Sequence, residues 1–351
     1  MKKIVIKKIK QKDVLLFDKN FSNLSFDNFS YEVVNLNEIN LYCLANFLRN
    51  IFRFFFKYSL KDIYLKSLVE LYNPKVVIDH EITGLAFKIK KLCKHIFCIC
   101  YQLSYHYGWQ KKIFKKNYEG KVIDLFAVYH LKDMNFYSNF LKTNYLISGS
   151  IKNNEIILKK KNNYEIPLLL ISEFRPKQSD KLLKGQIKVC QYINTFAEQN
   201  NIIPYVALTS NREEKKGKFL EQEINFFNKY LKKFKYKKEN NFLTANNSNL
   251  IVCLNSNMGT ELLSRGFKVV FFNLVGEEDP SHENPYLKIN HPKYFFSNLN
   301  ENEIFKRFKY FFSITKNDWL KEADIKNNTI IFDENNTLLK KEISKAIEKN
   351  R

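Results

Sequence analysis

Short apolar runs alternate with longer amphipathic stretches along most of the chain. Runs such as residues 76–78 and 250–254 are free of charge and rich in β-branched residues, which is typical of buried strands. Between such runs, apolar residues recur at three- and four-residue spacing, as they do in residues 184–200, and this spacing predicts amphipathic helices. Because strand and helix patterns alternate through both halves, the sequence predicts an α/β fold with parallel sheets.

The predicted elements fall into two similar halves. Strands are predicted at residues 3–6, 13–17, 76–78, 96–101, 123–128, 145–147, 168–172, 203–208, 250–254 and 269–272. Helices are predicted over most of 36–72 and at 85–92, 133–141, 184–200, 221–234 and 338–349. The charged, Asn-rich stretch 151–165 predicts a connection between domains. We therefore expect two Rossmann-like, doubly wound domains (1–160 and 166–325) that face each other across a cleft, followed by a helical tail (326–351).

Polar residues collect where the predicted strands end. Ligands of open α/β sheets bind at the carboxyl ends of strands, so these residues predict a ligand site. The alternative is that they are only the polar residues that any loop contains. The positions are Asp79 and His80, Gln102, residues 148–150, Glu173 and Arg175, Thr209 and Ser210, and residues 255–261.

The segment 254–273 (LNSNMGTELLSRGFKVVFFN) predicts a strand, a tight turn, a short helix and another strand. The backbone N–H groups of Met258, Gly259 and Thr260 would point toward a phosphate at a helix N-terminus, with glycine allowing close approach. Glu261, in the first turn, would accept hydrogen bonds from ribose hydroxyls. The alternative is ordinary helix capping by Asn255 or Ser256. The sequence contains no Walker motif and no GxGxxG, so ATP hydrolysis and Rossmann-type hydride transfer have no support.

Charge changes this picture little. The net charge is +22, but only seven of the 58 basic residues are arginine, and the excess of Lys, Asn, Ile and Phe is typical of an AT-rich genome. Proteins that read bases favour arginine, so nucleic acid is a disfavoured partner. Contact with an anionic membrane surface fits scattered lysines better.

Cysteines and apolar windows exclude several further classes of protein. The six cysteines form no CxxC pair and no zinc-ligand spacing, so we expect buried thiols in a reducing compartment and no metal site. The sequence shows no signal peptide and no window that is apolar enough to span a membrane. The most apolar window, 48–56, is interrupted by Arg49 and Arg53. It could lie on a membrane surface as an amphipathic helix, although a core helix is the commoner outcome.

Together these stretches resemble a known family. The segment resembles the donor-binding segment of GT-B glycosyltransferases through the spacing of Ser256, Gly259, Glu261, Leu263, Gly266, Lys268 and Val269. More narrowly, residues 70–275 are similar to bacterial surface carbohydrate biosynthesis proteins, on the strands that end at Asp79-His80 and Gln102 and on IDLFAVY, YLISGSIKNN and LLLISEFR. The chain departs from that family in two places. It has Asp79-His80 where the family tends to have Asp-Asn, and Gln102-Leu103-Ser104 where it tends to have Gln-Asn-Gly.

The resemblance implies a metal-independent, inverting glycosyltransferase that uses a nucleotide sugar as co-substrate and needs no other cofactor. It would add the sugar to a growing surface glycan or a lipid-linked acceptor, as in capsule or O-antigen synthesis. Asp79 is the first candidate for the base, followed by His80 and Glu81. Candidate donor-binding residues are Ser256, Met258, Gly259, Thr260, Glu261, Arg175, Thr209, Ser210, Ser148, Gly149 and Ser150. Candidate acceptor-binding residues are Gln102, His106 and Tyr107.

Other functions fit the same fold. A nucleotide-sugar epimerase or a polyol-phosphate transferase would need the same nucleotide site, and a basic membrane- or RNA-binding scaffold would need none. For the enzyme readings we expect a cytoplasmic protein, with peripheral contact at the inner face of the plasma membrane.

Overall fold

The computed structural model describes residues 3–17, 29–35, 38–158, 163–209 and 217–349. The chain forms two compact units: 1–104, 114–155 and 333–351 make the first, and 105–113 and 156–332 make the second. Each contains a parallel sheet flanked by helices, which confirms the predicted class of two Rossmann-like α/β domains. Each unit is described by itself below.

The units differ from two consecutive pieces of chain. The last helix belongs to the first unit, whereas the sequence predicts a separate tail from 326 onward. The short segment 105–113 belongs to the second unit, although it lies within the predicted N-terminal domain.

All strand pairs among the described residues are parallel. The strands are β1 (Lys3–Val5), β2 (Val14–Leu16), β3 (Tyr31–Val33), β4 (Glu38–Asn40), β5 (Val76–His80), β6 (Phe97–Tyr101), β7 (Leu125–Val128), β8 (Asn144–Ile147), β9 (Ile166–Ile171), β10 (Tyr205–Ala207), β11 (Ser248–Cys253), β12 (Val269–Phe272) and β13 (Phe295–Phe296). The sheet of the first unit has the order β3-β2-β5-β6-β7-β8, and that of the second has β10-β9-β11-β12-β13. Strands β1 and β4 form a separate pair.

Helices connect these strands. They are α1 (Leu44–Phe54), α2 (Leu60–Tyr72), α3 (Leu85–Leu92), α4 (Gly108–Tyr118), α5 (Leu131–Ser138), α6 (Ile151–Asn154), α7 (Asp180–Gln199), α8 (Lys218–Tyr230), α9 (Asn241–Asn246), α10 (Asn257–Ser264), α11 (Leu274–Glu278), α12 (Glu301–Ser313), α13 (Lys316–Ala323), α14 (Ile325–Asn328) and α15 (Thr337–Lys349). Among the described residues, none of these helices is both long and apolar enough to cross a membrane.

Both faces of the first sheet are covered. Alternate strand residues such as Val77 and Phe126 pack with α2, α3 and α5, while Ile78 and Ile99 point to the opposite face, where they pack with Leu339 and Ile343 of α15. In the second unit, one continuous core surrounds the central strands β9, β11 and β12. Strands with both faces buried explain the uninterrupted apolar runs in the sequence.

The predicted long helix over 36–72 is wrong in detail. Its described part contains strand β4 and two helices, and α2 begins afresh because the Ser59 hydroxyl accepts a hydrogen bond from Asp62 N. Strands β3 and β13 and helix α4 were also not predicted from the sequence, and most of α4 is partly or fully exposed.

Candidate functional site

The strand order of the second sheet indicates a ligand site at the carboxyl ends of β9 and β11. In chain order its strands run second, first, third, fourth and fifth, so the chain leaves β9 toward one edge and later returns on the other side as β11. At such a switch point, the connections after neighbouring strands diverge and leave a crevice at their carboxyl ends. The residues after β9 and β11 are therefore the first candidates for ligand contact.

Glu173 lies at this switch point. Its Oε1 accepts hydrogen bonds from the backbone N–H groups of Asn255 (2.7 Å) and Leu254 (3.1 Å), so the carboxyl group joins the ends of β9 and β11. Burial raises the pKa of Glu173 to about 7, against the lowering effects of these two hydrogen bonds and of Arg175. A carboxyl group with this pKa can both accept and donate a proton near neutral pH.

Asn255, two residues after the end of β11, makes further polar contacts. The hydroxyls of Tyr105 and Tyr107 both donate to the backbone oxygen of Asn255, and the Asn255 side chain donates to the backbone oxygen of His282 at 2.5 Å. Tyr105 N also donates to Asn257 Oδ1 at 3.4 Å. Burial raises the pKa of both tyrosines well above the ordinary value, so both phenols remain neutral donors near pH 7. The segment 105–107 therefore lies against the N-terminal turn of α10.

Helix α10 begins earlier than predicted. Ser256 caps it by accepting a hydrogen bond from Met258 N at 3.2 Å, and Thr260 N donates to the Ser256 backbone oxygen at 3.3 Å. Two of the three N–H groups that the sequence analysis assigned to a phosphate thus have partners within the chain. Because α10 starts at Asn257, Glu261 lies in its second turn and not in its first, and it is only 8% exposed.

Gly259 is required by packing. A Cβ at this position would lie 2.5 Å from Cys253 Sγ and 3.0 Å from Phe271 Cε1, so the absence of a side chain lets α10 pack closely on β11 and β12. The predicted approach of Gly259 to a phosphate is a separate matter and stays a prediction.

We expect Gly259→Ala to lower the free energy of unfolding by about 1–3 kcal/mol, because the added methyl group overlaps a sulfur atom and a ring in the core. Urea unfolding followed by circular dichroism measures the change. Gly108→Ala is the matched control, since its Cβ would meet nothing closer than 3.9 Å. Equal midpoints for Gly259→Ala and the wild type would contradict this account of the packing.

Other predicted donor residues of the second unit are tied to the strand ends or exposed. Thr209 donates from its backbone N to the buried Glu223 (2.8 Å) and from its hydroxyl to the Ser172 backbone oxygen (2.9 Å). Arg175 is exposed on the loop after β9. Ser210 lies outside the described residues.

The predicted catalytic carboxylates of the first unit have clear structural roles. Asp79, which is fully buried, caps α3: its Oδ2 accepts hydrogen bonds from the Thr83 hydroxyl, Leu85 N (2.9 Å) and Ala86 N (3.4 Å). Burial raises the pKa of Asp79. Glu81, also fully buried, accepts hydrogen bonds from Leu103 N on both carboxylate oxygens, at 2.7 and 2.9 Å. An aspartate after a strand often caps the helix that follows, and these contacts give Asp79 that structural role. Its role as base stays a prediction.

The remaining candidates of the first unit also brace its strand ends. His80 packs edge-on against Tyr101, and buried Gln102 accepts from Tyr129 N and donates to the Ser104 backbone oxygen, both at 2.9 Å. Gly149 turns the chain with a φ of 69°, and Ser150 caps the short α6. Ser148 is fully buried just before them.

The predicted acceptor residues do not lie in one unit. Gln102 belongs to the first unit, whereas His106 and Tyr107 belong to the second, where Tyr107 contacts Asn255 beside the predicted donor helix. His106 is buried and does not lie on the surface, and its role in acceptor binding stays a prediction.

From the sequence, Glu173 and Asn255 were expected only among the polar residues at the strand ends, with Asn255 also a possible helix cap; neither was assigned a catalytic or binding role. Both follow apolar strand patterns directly, and that signal was present in the sequence. Their pairing across β9 and β11 depends on the strand order, which no local pattern reveals.

One protein family matches most of this chain. Residues 102–347 match the model of a family described as "putative O-antigen biosynthesis protein". No curated protein matches the chain.

Solved structures of similar fold cover nearly the whole chain. A "putative UDP-N-acetylglucosamine 2-epimerase" from Listeria monocytogenes has a TM-score of 0.57 and 11% identity over 96% of this chain and 95% of its own. The UDP-GlcNAc 2-epimerase from Neisseria meningitidis, solved with UDP-GlcNAc, has a TM-score of 0.55 and 10% identity, and the match covers 96% of this chain and 99% of its own. The calicheamicin glycosyltransferase CalG4 has a TM-score of 0.52 and 10% identity, and the match covers 97% of this chain and 100% of its own. At these identities the matches show the fold, which is of the GT-B type.

Proposed function

The chain belongs to this family of O-antigen biosynthesis proteins, and from that premise we propose that it is a glycosyltransferase. It moves a sugar from a nucleotide sugar to a growing surface glycan or a lipid-linked acceptor. The observation that carries the proposal is the position of Glu173, a carboxyl group with a pKa of about 7 at the switch point of the second sheet, next to the N-terminus of α10.

The donor is held by the second unit. A helix N-terminus attracts phosphate through its N–H groups and its dipole, and α10 begins two residues after Asn255. Arg175, which is exposed on the neighbouring loop, adds a charged donor for the leaving phosphate. Glu261 remains the candidate for the ribose hydroxyls.

The acceptor hydroxyl needs a base. Above pH 7 the carboxylate form of Glu173 predominates and can take that proton. Departure of the nucleotide phosphate breaks the bond to the anomeric carbon as the acceptor oxygen forms its own bond there.

Nucleotide-sugar epimerisation is the second candidate. The observation that favours it is that the Listeria and Neisseria structures, both described as UDP-GlcNAc 2-epimerases, cover almost the whole chain. An epimerase needs the same nucleotide site and proton-transfer groups but no acceptor.

A nucleotide panel tests the proposal. We expect one of UDP, GDP and CMP to raise the melting temperature by several degrees at 100 times its Kd, where binding adds about 2.7 kcal/mol to the free energy of unfolding. Inorganic pyrophosphate at equal ionic strength is the control.

Incubation with the matching nucleotide sugar then separates the two enzymes, with the products followed by NMR. An epimerase inverts a sugar carbon without acceptor and keeps the nucleotide attached, whereas a glycosyltransferase releases the nucleotide when acceptor is present. If no nucleotide shifts the melting temperature and the chain binds RNA with a steep salt dependence, the scaffold alternative replaces both.

A further inference from the structure

Helix α1 in the first unit buries polar residues and exposes apolar ones. Its buried residues are the polar Asn46 and Asn50, while Leu44, Leu48 and Phe52 are exposed. A surface helix of a globular protein normally buries its apolar stripe and exposes its polar face. The observed orientation therefore needs a partner for the apolar side.

Specific hydrogen bonds fix this orientation. Asn50 donates to the Ser67 hydroxyl at 2.9 Å and to Glu70 Oε2 at 2.7 Å, and Asn46 donates to the Ser67 backbone oxygen at 2.9 Å. Glu70 also pairs with Lys66 at 2.9 Å. Rotating α1 to bury its leucines would break this network and leave buried polar groups of α2 without partners.

The exposed apolar side chains continue beyond the helix. Phe52 is 89% exposed, Phe55 55% and Phe56 101%. We call the whole surface the α1 patch; its members are Leu41, Tyr42, Leu44, Leu48, Phe52, Phe55, Phe56 and Leu60. Soluble proteins rarely expose so contiguous a set of apolar residues without an interaction that covers it.

Charge identifies the partner. Residues 39–61 contain no Asp or Glu, and the exposed basic residues Arg49, Arg53, Lys57 and Lys61 lie among the apolar ones. Large apolar side chains with interspersed cations fit the anionic headgroup region of a bilayer. A symmetric dimer through the same patch would bring these uncompensated cations together, which is unfavourable.

We propose that the α1 patch docks the first unit onto an anionic lipid bilayer, with α1 lying in the plane of the interface. The phenylalanines enter the boundary between headgroups and acyl chains, and the basic side chains bind lipid phosphates. The inference does not depend on the proposed enzymatic reaction, since it uses residues to which that reaction gives no role.

Vesicle sedimentation with the full chain tests the proposal. We expect binding to phosphatidylcholine vesicles that contain 30% phosphatidylglycerol, and binding at least tenfold weaker to pure phosphatidylcholine vesicles, because each basic residue near an anionic surface contributes attraction. The variant Phe52→Ser/Phe55→Ser/Phe56→Ser should bind the anionic vesicles at least about tenfold more weakly than the wild type. The variant Arg53→Gln/Lys57→Gln/Lys61→Gln should lose most of the preference for anionic lipid.

A control variant distinguishes docking through the α1 patch from nonspecific hydrophobic binding to vesicles. Val122→Ser/Ile157→Ser/Ile289→Ser removes three other exposed apolar side chains and should bind like the wild type. A fluorescent probe shows whether residue 56 enters the bilayer. The variant Phe56→Cys adds an exposed thiol to a chain whose six cysteines are all buried, so a polarity-sensitive thiol dye labels that position. Its emission should shift to the blue on anionic vesicles.

Two results would overturn the proposal. One is equal vesicle binding by the wild type and the triple serine variant, with both showing the same melting temperature. The other is a stable wild-type dimer in light scattering that the serine variant converts to monomer, without vesicle binding by either protein; the patch would then be a contact between copies of the chain.

Discussion

Replacing Glu173 by glutamine should lower turnover by about 10²- to 10⁴-fold, the range typical of losing a general base. The variant should keep its fold, because glutamine retains an oxygen that can accept the N–H groups of Leu254 and Asn255. Nucleotide binding should change little, since the donor contacts that we propose lie on α10 and Arg175. The measurements are steady-state release of nucleotide and the melting-temperature shift with nucleotide.

The role of Glu173 as base also predicts the direction in which activity changes with pH. The wild type should gain kcat/KM as pH rises through about 7, because the carboxylate is the active base, and Glu173→Gln should lack this limb. Stability changes in the opposite direction. The pKa of Glu173 is about 7 in the folded state and has an ordinary value of 4.5, so its contribution to stability is full below pH 4.5 and is lost as pH rises to 7.

Asp79→Asn is the comparison in the first unit. Asparagine still offers an oxygen to cap α3, so we expect a loss of about 1 kcal/mol of stability and nearly unchanged turnover. If Asp79→Asn abolishes turnover at unchanged stability while Glu173→Gln keeps it, the base lies in the first unit and our assignment is wrong.

The second large effect concerns nucleotide binding. Glu261→Gln should weaken nucleotide binding roughly tenfold to a hundredfold, because hydrogen bonds to a charged group are worth about 1.5–3 kcal/mol. Titration calorimetry with the nucleotide from the panel measures the change. Glu278→Gln, which removes the same charge from an exposed position in the same unit, should bind like the wild type. Unchanged affinity in Glu261→Gln would remove Glu261 from the donor site.

Local patterns predicted the sheets well because central strands are buried on both faces. The run that includes Val76 and Val77 and the run that includes Leu250 and Ile251 are apolar without interruption, and both form strands. The fold class followed from the order of such runs, and the family from the resemblance of particular stretches such as LLLISEFR. Capping by Ser256 was also among the alternatives that the sequence left open, because a serine before a helix is a local signal.

What the sequence did not reveal depends on contacts between distant residues. The meeting of Glu173 with Asn255 needs the order of strands in the sheet, and the inclusion of Tyr105 and Tyr107 in the second unit needs the tertiary fold. For residues 48–56 the sequence left a membrane-surface helix open but favoured a core helix, because apolar residues at helical spacing normally face a core; Leu48 and Phe52 are in fact exposed.

The return of α15 to the first unit has a consequence for biosynthesis. Its Leu339, Ile343 and Ile347 cover one face of a sheet whose own strands are all translated before residue 148. That face stays uncovered while almost two hundred further residues leave the ribosome. A nascent chain stopped at residue 332 would lack this helix, and Val14, Ile78 and Ile99 would then be left as apolar surface that chaperones and proteases can bind.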